Sequence, residues 1–517
     1  MTMKRVLVTL VLAAVASAEC GAQSAAPPVA PLPQAMSAAA RASFPEFVEL
    51  LALPNDAINA NDIRKNIAWL EAAFRKRGFE TRQLANDGKP LLFAEYPRKV
   101  AGAKTVLFYM HFDGQPVIPA QWAQKNPWAA TLKQRNAKGE WEEIDLAGLF
   151  GAQVDPEWRV FARSSSDDKG PIVMFLAAFD ALKATNLEPA FNVKVILDSE
   201  EEKGSVNIGK VATAHRELLR ADALLIHDGP RHASEKPTIV FGNRGNTTAR
   251  LTVYGPKSEL HSGHYGNYVP NPAQRLAALL ASMKDDTGRV TIAGYYDRVK
   301  LTDAERKVLA EVGDDEAAIR KRIGIAKPEA VGANLQEAIQ YPSLNIRGMA
   351  AAAIGDKASN IIPSQAVAEL DLRTTPEAPP EYLFGLIEQH VRGKGYYLAQ
   401  GAPSDAERAA HDKIASFTLG RGSRAARTPL ESPLGQWVDG VLRKTHGANG
   451  VDAATVRIRM MGGSVPTDKL VEALDVPFVI VPLVNGDNNQ HSFDENLRLG
   501  HYFDGVRTFV GLLRTKF

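Results

Sequence analysis

The chain has 517 residues, more than a single hydrophobic core ordinarily organises, so two or more domains are expected. Its composition, 45% hydrophobic and 23% charged, is that of a soluble globular protein. The formal net charge of +2 gives no general attraction to nucleic acid or to an anionic membrane surface, and neither is expected as a partner.

The first residues have the pattern of an export signal. Two basic residues precede an apolar run over residues 6–15, which is followed by small residues and is too short to span a bilayer stably. We therefore predict a signal peptide over residues 1–22, a Pro/Ala-rich linker over 23–37, and export to the periplasm or the cell exterior. Cys20 is the only cysteine, which excludes an intrachain disulfide and a cysteine metal cage.

Helix-like and strand-like patterns alternate from residue 38 to residue 245. The segment 170–186 has helical character and a proline in its first turn. The stretches 105–110, 191–197 and 221–228 are nearly continuous apolar runs, which are typical of strands buried on both faces. This alternation predicts the first part of an α/β domain, with a mostly parallel sheet and helices on both faces.

The pattern changes near residue 246. Segments 248–255 and 366–373 alternate polar and apolar residues, which is typical of half-exposed antiparallel strands, and helical patterns lie between them. We therefore predict an inserted α+β domain over residues 246–380. The α/β pattern then resumes, and residues 381–517 are predicted to complete the first domain.

Acidic residues and histidines stand where the strands of the predicted α/β sheet end. His111 and Asp113 follow the first strand, Asp228 follows the third, Asp167 stands directly before a helix, and His491 follows a later strand. In an open α/β sheet, ligands bind at the carboxyl ends of the strands, so these side chains are expected to lie close together.

Three consecutive glutamates, Glu200, Glu201 and Glu202, follow the second buried strand. Carboxylates packed this closely repel one another and resist ionising together. A divalent cation removes this conflict, because it neutralises part of the charge. Oxygen and nitrogen ligands without cysteine suit zinc, manganese or cobalt. The sequence therefore predicts a metal site in which one glutamate binds metal and a neighbouring glutamate acts as a base.

Nine short stretches, taken together, resemble a known family. In family order they are HFDGQP (111–116), SSDDKGP (165–171), EEKGS (201–205), HDG (227–229), GNRG (242–245), ELHSGHYG (259–266), ASNIIP (358–363), GGSVPTD (462–468) and HSFDEN (491–496). The set resembles the co-catalytic metallopeptidases of family M20, which include carboxypeptidase G, carnosinase-like dipeptidases, aminoacylase and acetylornithine deacetylase. The family usually has Gly-Arg-Gly before the acidic loop, where this chain has Ala162-Arg163-Ser164.

The resemblance implies a centre of two divalent metal ions, with zinc as the first expectation and manganese or cobalt as alternatives. Asp167 would bridge the two ions. Glu202 and His491 would complete one of the two sites. His111 and Asp228 would complete the other.

The resemblance also implies the groups that act beside the metals. Asp113 would hydrogen-bond the ring of His111 and fix its tautomer. Glu201 would be the general base, taking a proton from a metal-bound water and passing it to the leaving amine.

Substrate contacts are implied in the inserted domain and in one later loop. His261 would support the developing oxyanion, and Arg373 would hold a substrate carboxylate in a fork of hydrogen bonds. Gly463 and Ser464 would add donors to the same carboxylate. In the family, this inserted domain forms a homodimer, and its histidine reaches the active site of the partner subunit.

These implications predict an exported, dinuclear metal-dependent amide hydrolase that cleaves peptides with a free carboxylate, as a dipeptidase or a carboxypeptidase does. Removal of an acyl group from an N-acyl amino acid is the alternative reaction at the same metal centre. A non-catalytic peptide-binding protein is the alternative of another class, and the intact Glu201 and ligand set argue against it. A serine hydrolase is poorly supported, because the serines at 164–166 lack a nucleophile-elbow pattern.

Overall fold

The computed structural model describes residues 31–463, 465 and 467–517. The predicted signal peptide, most of the predicted linker and Ser464 lie outside this part of the chain. Within it, no helix combines the length and apolar character needed to cross a membrane.

The helices follow one another along the whole described chain. They are α1 (Leu32–Ala42), α2 (Phe44–Leu51), α3 (Ala60–Lys76), α4 (Lys169–Ala184), α5 (Ile208–Ala214), α6 (Arg216–Leu219), α7 (Ser262–Tyr265), α8 (Pro272–Ala281), α9 (Asp303–Glu311), α10 (Glu316–Ile323), α11 (Leu335–Ala338), α12 (Pro380–Gly393), α13 (Asp405–Ala410), α14 (Pro433–His446), α15 (Thr467–Leu474) and α16 (Leu499–Arg514). Short 3-10 turns occur at Pro119–Gln121, Leu146–Phe150, Glu201–Lys203 and Gly355–Lys357.

The strands belong to two large sheets, one four-stranded sheet and two short pairs. They are β1 (Glu80–Leu84), β2 (Leu91–Glu95), β3 (Thr105–His111), β4 (Thr131–Arg135), β5 (Trp141–Ile144), β6 (Arg159–Phe161), β7 (Asn192–Asp198), β8 (Ala223–Ile226), β9 (Thr238–Val240), β10 (Gly242–Asn243), β11 (Gly245–Tyr254), β12 (Leu260–His261), β13 (Ser343–Ala350), β14 (Ile361–Ile362), β15 (Gln365–Thr374), β16 (Tyr397–Leu398), β17 (Ile414–Ser423), β18 (Ala426–Arg427), β19 (Val456–Ile458), β20 (Phe478–Ile480) and β21 (Asn496–Arg498).

The largest sheet has eight strands in the order β1-β2-β7-β3-β8-β20-β9-β19. Its centre is parallel, since β3 pairs in parallel with β7 and β8, and β20 with β8. Val106 and Phe108 pack into one core with α4 and α16, whereas Leu107 and Tyr109 pack into a second core with α5 and α15. Burial on both faces explains the continuous apolar runs, and the predicted α/β class is confirmed.

The second large sheet has the order β13-β15-β11-β17-β16. On β15 the alternate residues Ala366, Ala368, Leu370 and Leu372 are buried in a core that α8 and α12 complete. The alternating pattern predicted for this inserted domain is therefore the pattern of a sheet covered on one face.

The inserted domain extends beyond residue 380, where the sequence analysis ended it. Helix α12 packs in its core, and β17 pairs with β11 as far as Ser423. The partners in this pairing are far apart along the chain. The last part of β17 is exposed and lacks apolar alternation, so no local pattern marked it as a strand.

Helix α1 begins at Leu32, within the segment that was predicted to be a linker. Pro33 stands in the first helical turn, where a missing backbone N–H costs no hydrogen bond. Ala39 and Ala40 then bury against the core that contains α4. Alanine is common both in linkers and in closely packed helices. The prediction of a linker, which was based on composition, is therefore wrong for residues 32–37, which are helical.

Candidate metal centre and active site

The parallel strands β7, β3 and β8 lie side by side, so their carboxyl ends meet at one edge of the sheet. His111 is the last residue of β3, and Asp228 follows β8 by two residues. The glutamates follow β7 in a 3-10 turn that ends at Gly204, whose φ of 82° is left-handed and suits glycine. The local backbone therefore directs three acidic or histidine-bearing segments to the same place.

The structure brings the five predicted metal ligands into two groups that share one residue. One group is His111, Asp167 and Asp228, and the other is Asp167, Glu202 and His491. Within each group the potential ligand atoms lie within 4.8 Å of one another. Two ions bound in these groups would thus have the carboxylate of Asp167 in common.

Short contacts define both groups. His111 Nε2 lies 2.8 Å from Asp167 Oδ1 and 3.9 Å from Asp228 Oδ1. His491 Nε2 lies 3.2 Å from Asp167 Oδ2 and 3.3 Å from Glu202 Oε2. The side chain of His491 is 55% exposed, whereas His111 is fully buried, so the second group lies closer to solvent.

The electrostatics of the cluster fit divalent cations. Burial, together with the charge of Asp167, raises the pKa of Glu202 to about 8. Burial raises the pKa of Asp228 to about 6 although His111 opposes it. The buried Oδ2 of Asp167 lacks a hydrogen-bond partner among the described residues, despite its proximity to His491. A bound cation would neutralise part of the charge of the crowded carboxylates and would give the unsatisfied buried oxygen a partner. The histidine and carboxylate donors suit zinc, manganese or cobalt.

Asp113 contacts the glutamate turn more directly than the ring it was predicted to orient. Its carboxylate accepts the backbone N–H groups of Glu201 at 2.9 Å and Glu202 at 3.1 Å. The Nδ1 of His111 lies 3.2 Å from the backbone oxygen of Asp113 and 3.4 Å from its Oδ1. The backbone carbonyl is therefore the nearer acceptor for the ring, and the side chain fixes the turn. Gln115 adds a contact from the same loop, donating to Glu202 Oε2 at 2.5 Å.

Glu201 stands beside the ligand groups and lines a cleft of about 250 Å³ with Asn246 and Ser423 of the inserted domain. Burial, followed by the negative charge of Asp228, raises the pKa of Glu201 well above its ordinary value. A carboxylate that binds protons this readily, in a cleft between two domains, is suited to accept a proton from a reactant.

Glu495 is a residue that the sequence analysis passed over. The strands β6 and β21 pair, and this pairing brings Glu495 beneath the loop that carries Asp167. One of its carboxylate oxygens accepts from Ser166 N, Ser166 Oγ and Asp167 N at 2.9–3.0 Å, and the other from Ser164 N and Arg163 at 2.8 Å. Ser164 takes a φ of 61°, a conformation that glycine adopts more readily. The motif HSFDEN contained the only signal for Glu495.

Arg373 lies on the less buried face of β15, between Asn246 of β11 and Ser343 of β13. Because Asn246 also lines the cleft with Glu201, this row of cross-strand neighbours begins beside the candidate base. The Nε of Arg373 is 3.8 Å from Asp371 Oδ2, which is longer than a hydrogen bond.

His261 is exposed at the end of β12. In the described part of the chain it accepts a hydrogen bond from Gly263 N at 3.0 Å, and its ring lies 4.7 Å from the ring of His264. It belongs to neither ligand group. Gly463 is exposed in the loop before α15, and Ser464 lies outside the described residues.

The sequence model of peptidase family M20/M25/M40 matches residues 107–515. The chain therefore belongs to this peptidase family, as its motifs predicted, and is a peptide-bond hydrolase by membership.

Two of the characterised proteins that this chain is similar to are dipeptidases. The chain is 26% identical to a Cys-Gly metallodipeptidase of Schizosaccharomyces pombe over 452 residues, covering 85% of this chain and 86% of that protein. It is 24% identical to the human Beta-Ala-His dipeptidase over 415 residues, covering 78% of this chain and 73% of that protein.

Solved structures show the same fold. An M20 metallo-carboxypeptidase from Sulfolobus solfataricus matches with a TM-score of 0.69 and 24% identity, over 91% of this chain and 98% of that one. Human carnosine dipeptidase 1 matches with a TM-score of 0.61 and 20% identity, over 93% of this chain and 98% of that one.

Proposed function

We propose that the protein is a dinuclear metallodipeptidase that cleaves dipeptides with a free carboxylate, and that its native metal is zinc. The observation that carries this proposal is the pair of ligand groups sharing Asp167, with Glu201 beside them at the cleft. The dipeptidase names of the relatives support a dipeptide substrate over an N-acyl amino acid.

The chain's own residues supply the proton transfers and the hold on the substrate. Divalent ions in the two groups, when bound, would polarise the scissile carbonyl and acidify an attacking water. Glu201 accepts the proton of that water and delivers it to the leaving amine, which a carboxylic acid of raised pKa can do. Arg373 holds the free carboxylate, because a guanidinium matches its two oxygens in a fork.

Glu201→Gln tests this assignment. Glutamine keeps the size of the side chain but carries no titratable proton, so turnover of dipeptides is expected to fall by about 10²–10⁴-fold. Metal content, measured by elemental analysis, is expected to stay at the wild-type level. Glu217→Gln, at an exposed position on α6, is the matched control. Near-normal turnover by fully metallated Glu201→Gln would overturn the mechanism.

We also propose a homodimer in which His261 serves the active site of the partner subunit. His261 is exposed and separate from the ligand groups of its own chain. Large aromatic side chains are exposed nearby in sequence, at Tyr265 and Tyr268. Exposed apolar residues around a functional histidine support a subunit contact at this surface.

Export is proposed on the composition of the N-terminus alone, through its basic residues and the apolar run at 6–15. N-terminal sequencing of the protein from a fractionated cell is expected to give a start beyond residue 18 in the exported fraction. An intact N-terminus in the cytoplasmic fraction would contradict export.

A further inference from the structure

A second cavity, of about 370 Å³, lies in the inserted domain among α10, α11 and the start of β13. Ile323, Ile325 and Leu335 line it, and they are 53%, 44% and 39% exposed. Large apolar side chains are rarely left open to water together unless they face a ligand or a partner. The volume falls in the range of about 300–1,000 Å³ that is usual for small-molecule sites.

One end of the cavity is cationic and short of partners. Arg244 lines this end, is 8% exposed, and donates to the backbone oxygen of Tyr341 at 3.0 Å. Its Nε has no hydrogen-bond partner among the described residues. Burial, followed by the positive charge of nearby Arg373, lowers the pKa of Arg244 to about 10. Two neighbouring guanidinium groups, one of them buried, favour an anion between them.

Other charges at the cavity are already paired. Lys284 contacts Glu329 at 2.6 Å, and Arg320 contacts Glu316 at 3.4 Å. These acids therefore do not offer an open negative site to a basic side chain. The remaining wall is mostly apolar, so the cavity fits a molecule with a carboxylate at one end and an apolar group beside it.

The cavity adjoins the cleft that contains Glu201. Asn246, Arg373 and Ser343 are successive neighbours across three strands, and Asn246 lines the cleft whereas Ser343 lines the cavity. Cross-strand neighbours are about 5 Å apart, so about 10 Å separates the two sites along this row. A dipeptide spans about 7 Å at 3.3 Å per extended residue, and its terminal side chain reaches further.

We propose that this cavity receives the side chain of the substrate's C-terminal residue, so that the enzyme prefers dipeptides ending in a large apolar residue. The inference rests on the proposed dipeptidase function. With the carboxylate held at Arg373 and the scissile bond in the cleft, the C-terminal side chain points toward the apolar wall.

The test compares kcat/KM for Ala-Phe, Ala-Leu and Ala-Gly. Burial of an apolar side chain in a fitted pocket is expected to favour the first two by at least about tenfold. Ala333→Trp fills the cavity from an exposed position on its rim and is expected to lower kcat/KM for Ala-Phe by at least about tenfold, with Ala-Gly changed less than about twofold. Val451→Trp, at an exposed position that bridges Ala448 and does not line the cavity, is the matched control and leaves the ratio unchanged.

Each other outcome overturns the inference in a recognisable way. Similar kcat/KM values for all three peptides would refute the pocket while leaving the dipeptidase function intact. Ala333→Trp could instead lower kcat/KM for Phe-Gly and leave kcat/KM for Gly-Gly unchanged. That result would assign the cavity to the side chain of the N-terminal residue. A changed oligomeric state of Ala333→Trp in analytical ultracentrifugation would make the cavity a subunit contact. Cleavage of none of the peptides by the metallated wild type would refute the function itself.

Discussion

Replacing Glu495 with glutamine tests whether this buried carboxylate holds the loop that carries Asp167. Burial raises the pKa of Glu495, but the group accepts five hydrogen bonds, one of them from Arg163. If Glu495 were protonated, its O–H group would point at N–H or O–H groups that also donate, and at least one hydrogen bond would be lost. The carboxylate is therefore ionised at neutral pH, and Glu495→Gln removes a charge as well as an acceptor.

The expected loss of stability follows from the number of bonds on each oxygen. Whichever oxygen becomes an NH2 group, at least two donors lose their acceptor. Bonds to a charged group contribute about 1.5–3 kcal/mol each, and removing one member of a buried ion pair costs about 3–5 kcal/mol. Arg163 is almost fully buried and would lose its only carboxylate partner among the described residues, although it would still donate to the backbone oxygen of Ser492. We expect the free energy of unfolding to fall by about 3–5 kcal/mol.

Two measurements check this prediction. Chemical denaturation of the metal-free protein reports the change in the free energy of unfolding. Competition with a chromophoric chelator reports metal affinity, which is expected to fall by about 10–100-fold because Glu495 orients the backbone of Asp167.

Glu140→Gln, at an exposed position in the turn between β4 and β5, is the matched control and should change neither quantity. A free energy of unfolding of Glu495→Gln within about 1 kcal/mol of the wild-type value, together with an unchanged metal affinity, would refute the proposal that Glu495 holds the Asp167 loop in place.

Three further predictions follow from other groups. C-terminally amidated dipeptides should have kcat/KM at least about tenfold below the free acids, because Arg373 loses a charged partner; equal rates would contradict its role. Mixing the inactive variants Glu201→Ala and His261→Ala under subunit exchange should restore about a quarter of wild-type activity, since each mixed dimer has one intact site; zero recovery after proven exchange would contradict sharing. Burial, followed by the charge of Arg231, lowers the pKa of His446 to about 4. The unfolded chain then binds a proton that the folded chain does not, so stability falls by up to about 3 kcal/mol between pH 6.5 and 4. In denaturation experiments at pH 7 and 4.5, His446→Gln should reduce the difference in the free energy of unfolding between the two pH values. An unchanged difference would contradict the role of His446 in this pH dependence.

The parts of the fold that the sequence predicted are those whose signal is local. The strands β3, β7 and β8 contain nearly continuous apolar runs because both faces of the sheet are covered, and this pattern is visible within a short window of the sequence. Their order in the sheet places His111 and Asp228 at one edge, so the general rule that ligands bind at the carboxyl ends of parallel strands is enough to predict that these candidate ligands lie together.

The parts that the sequence missed depend on partners far along the chain. Strand β17 is recognisable through its pairing with β11, and Glu495 through five donors more than 300 residues earlier. Neither relation leaves a periodic pattern. Arg244 likewise looked like an ordinary motif residue, and its burial without a full set of partners appears only when the inserted domain is folded.

The contact between Glu495 and the Asp167 loop joins residues 328 positions apart, and this distance has a consequence for how the protein is made. During synthesis, the Asp167 loop is made long before Glu495, and the inserted domain is made between them. Until the last stretch of the chain docks, with α16 packed against α4, the acidic loop lacks the carboxylate that organises it. Contacts of such long range form late and slowly. Metal capture should therefore be one of the last events of maturation, and a chain cut before residue 495 should fold much of its sheet yet acquire little metal.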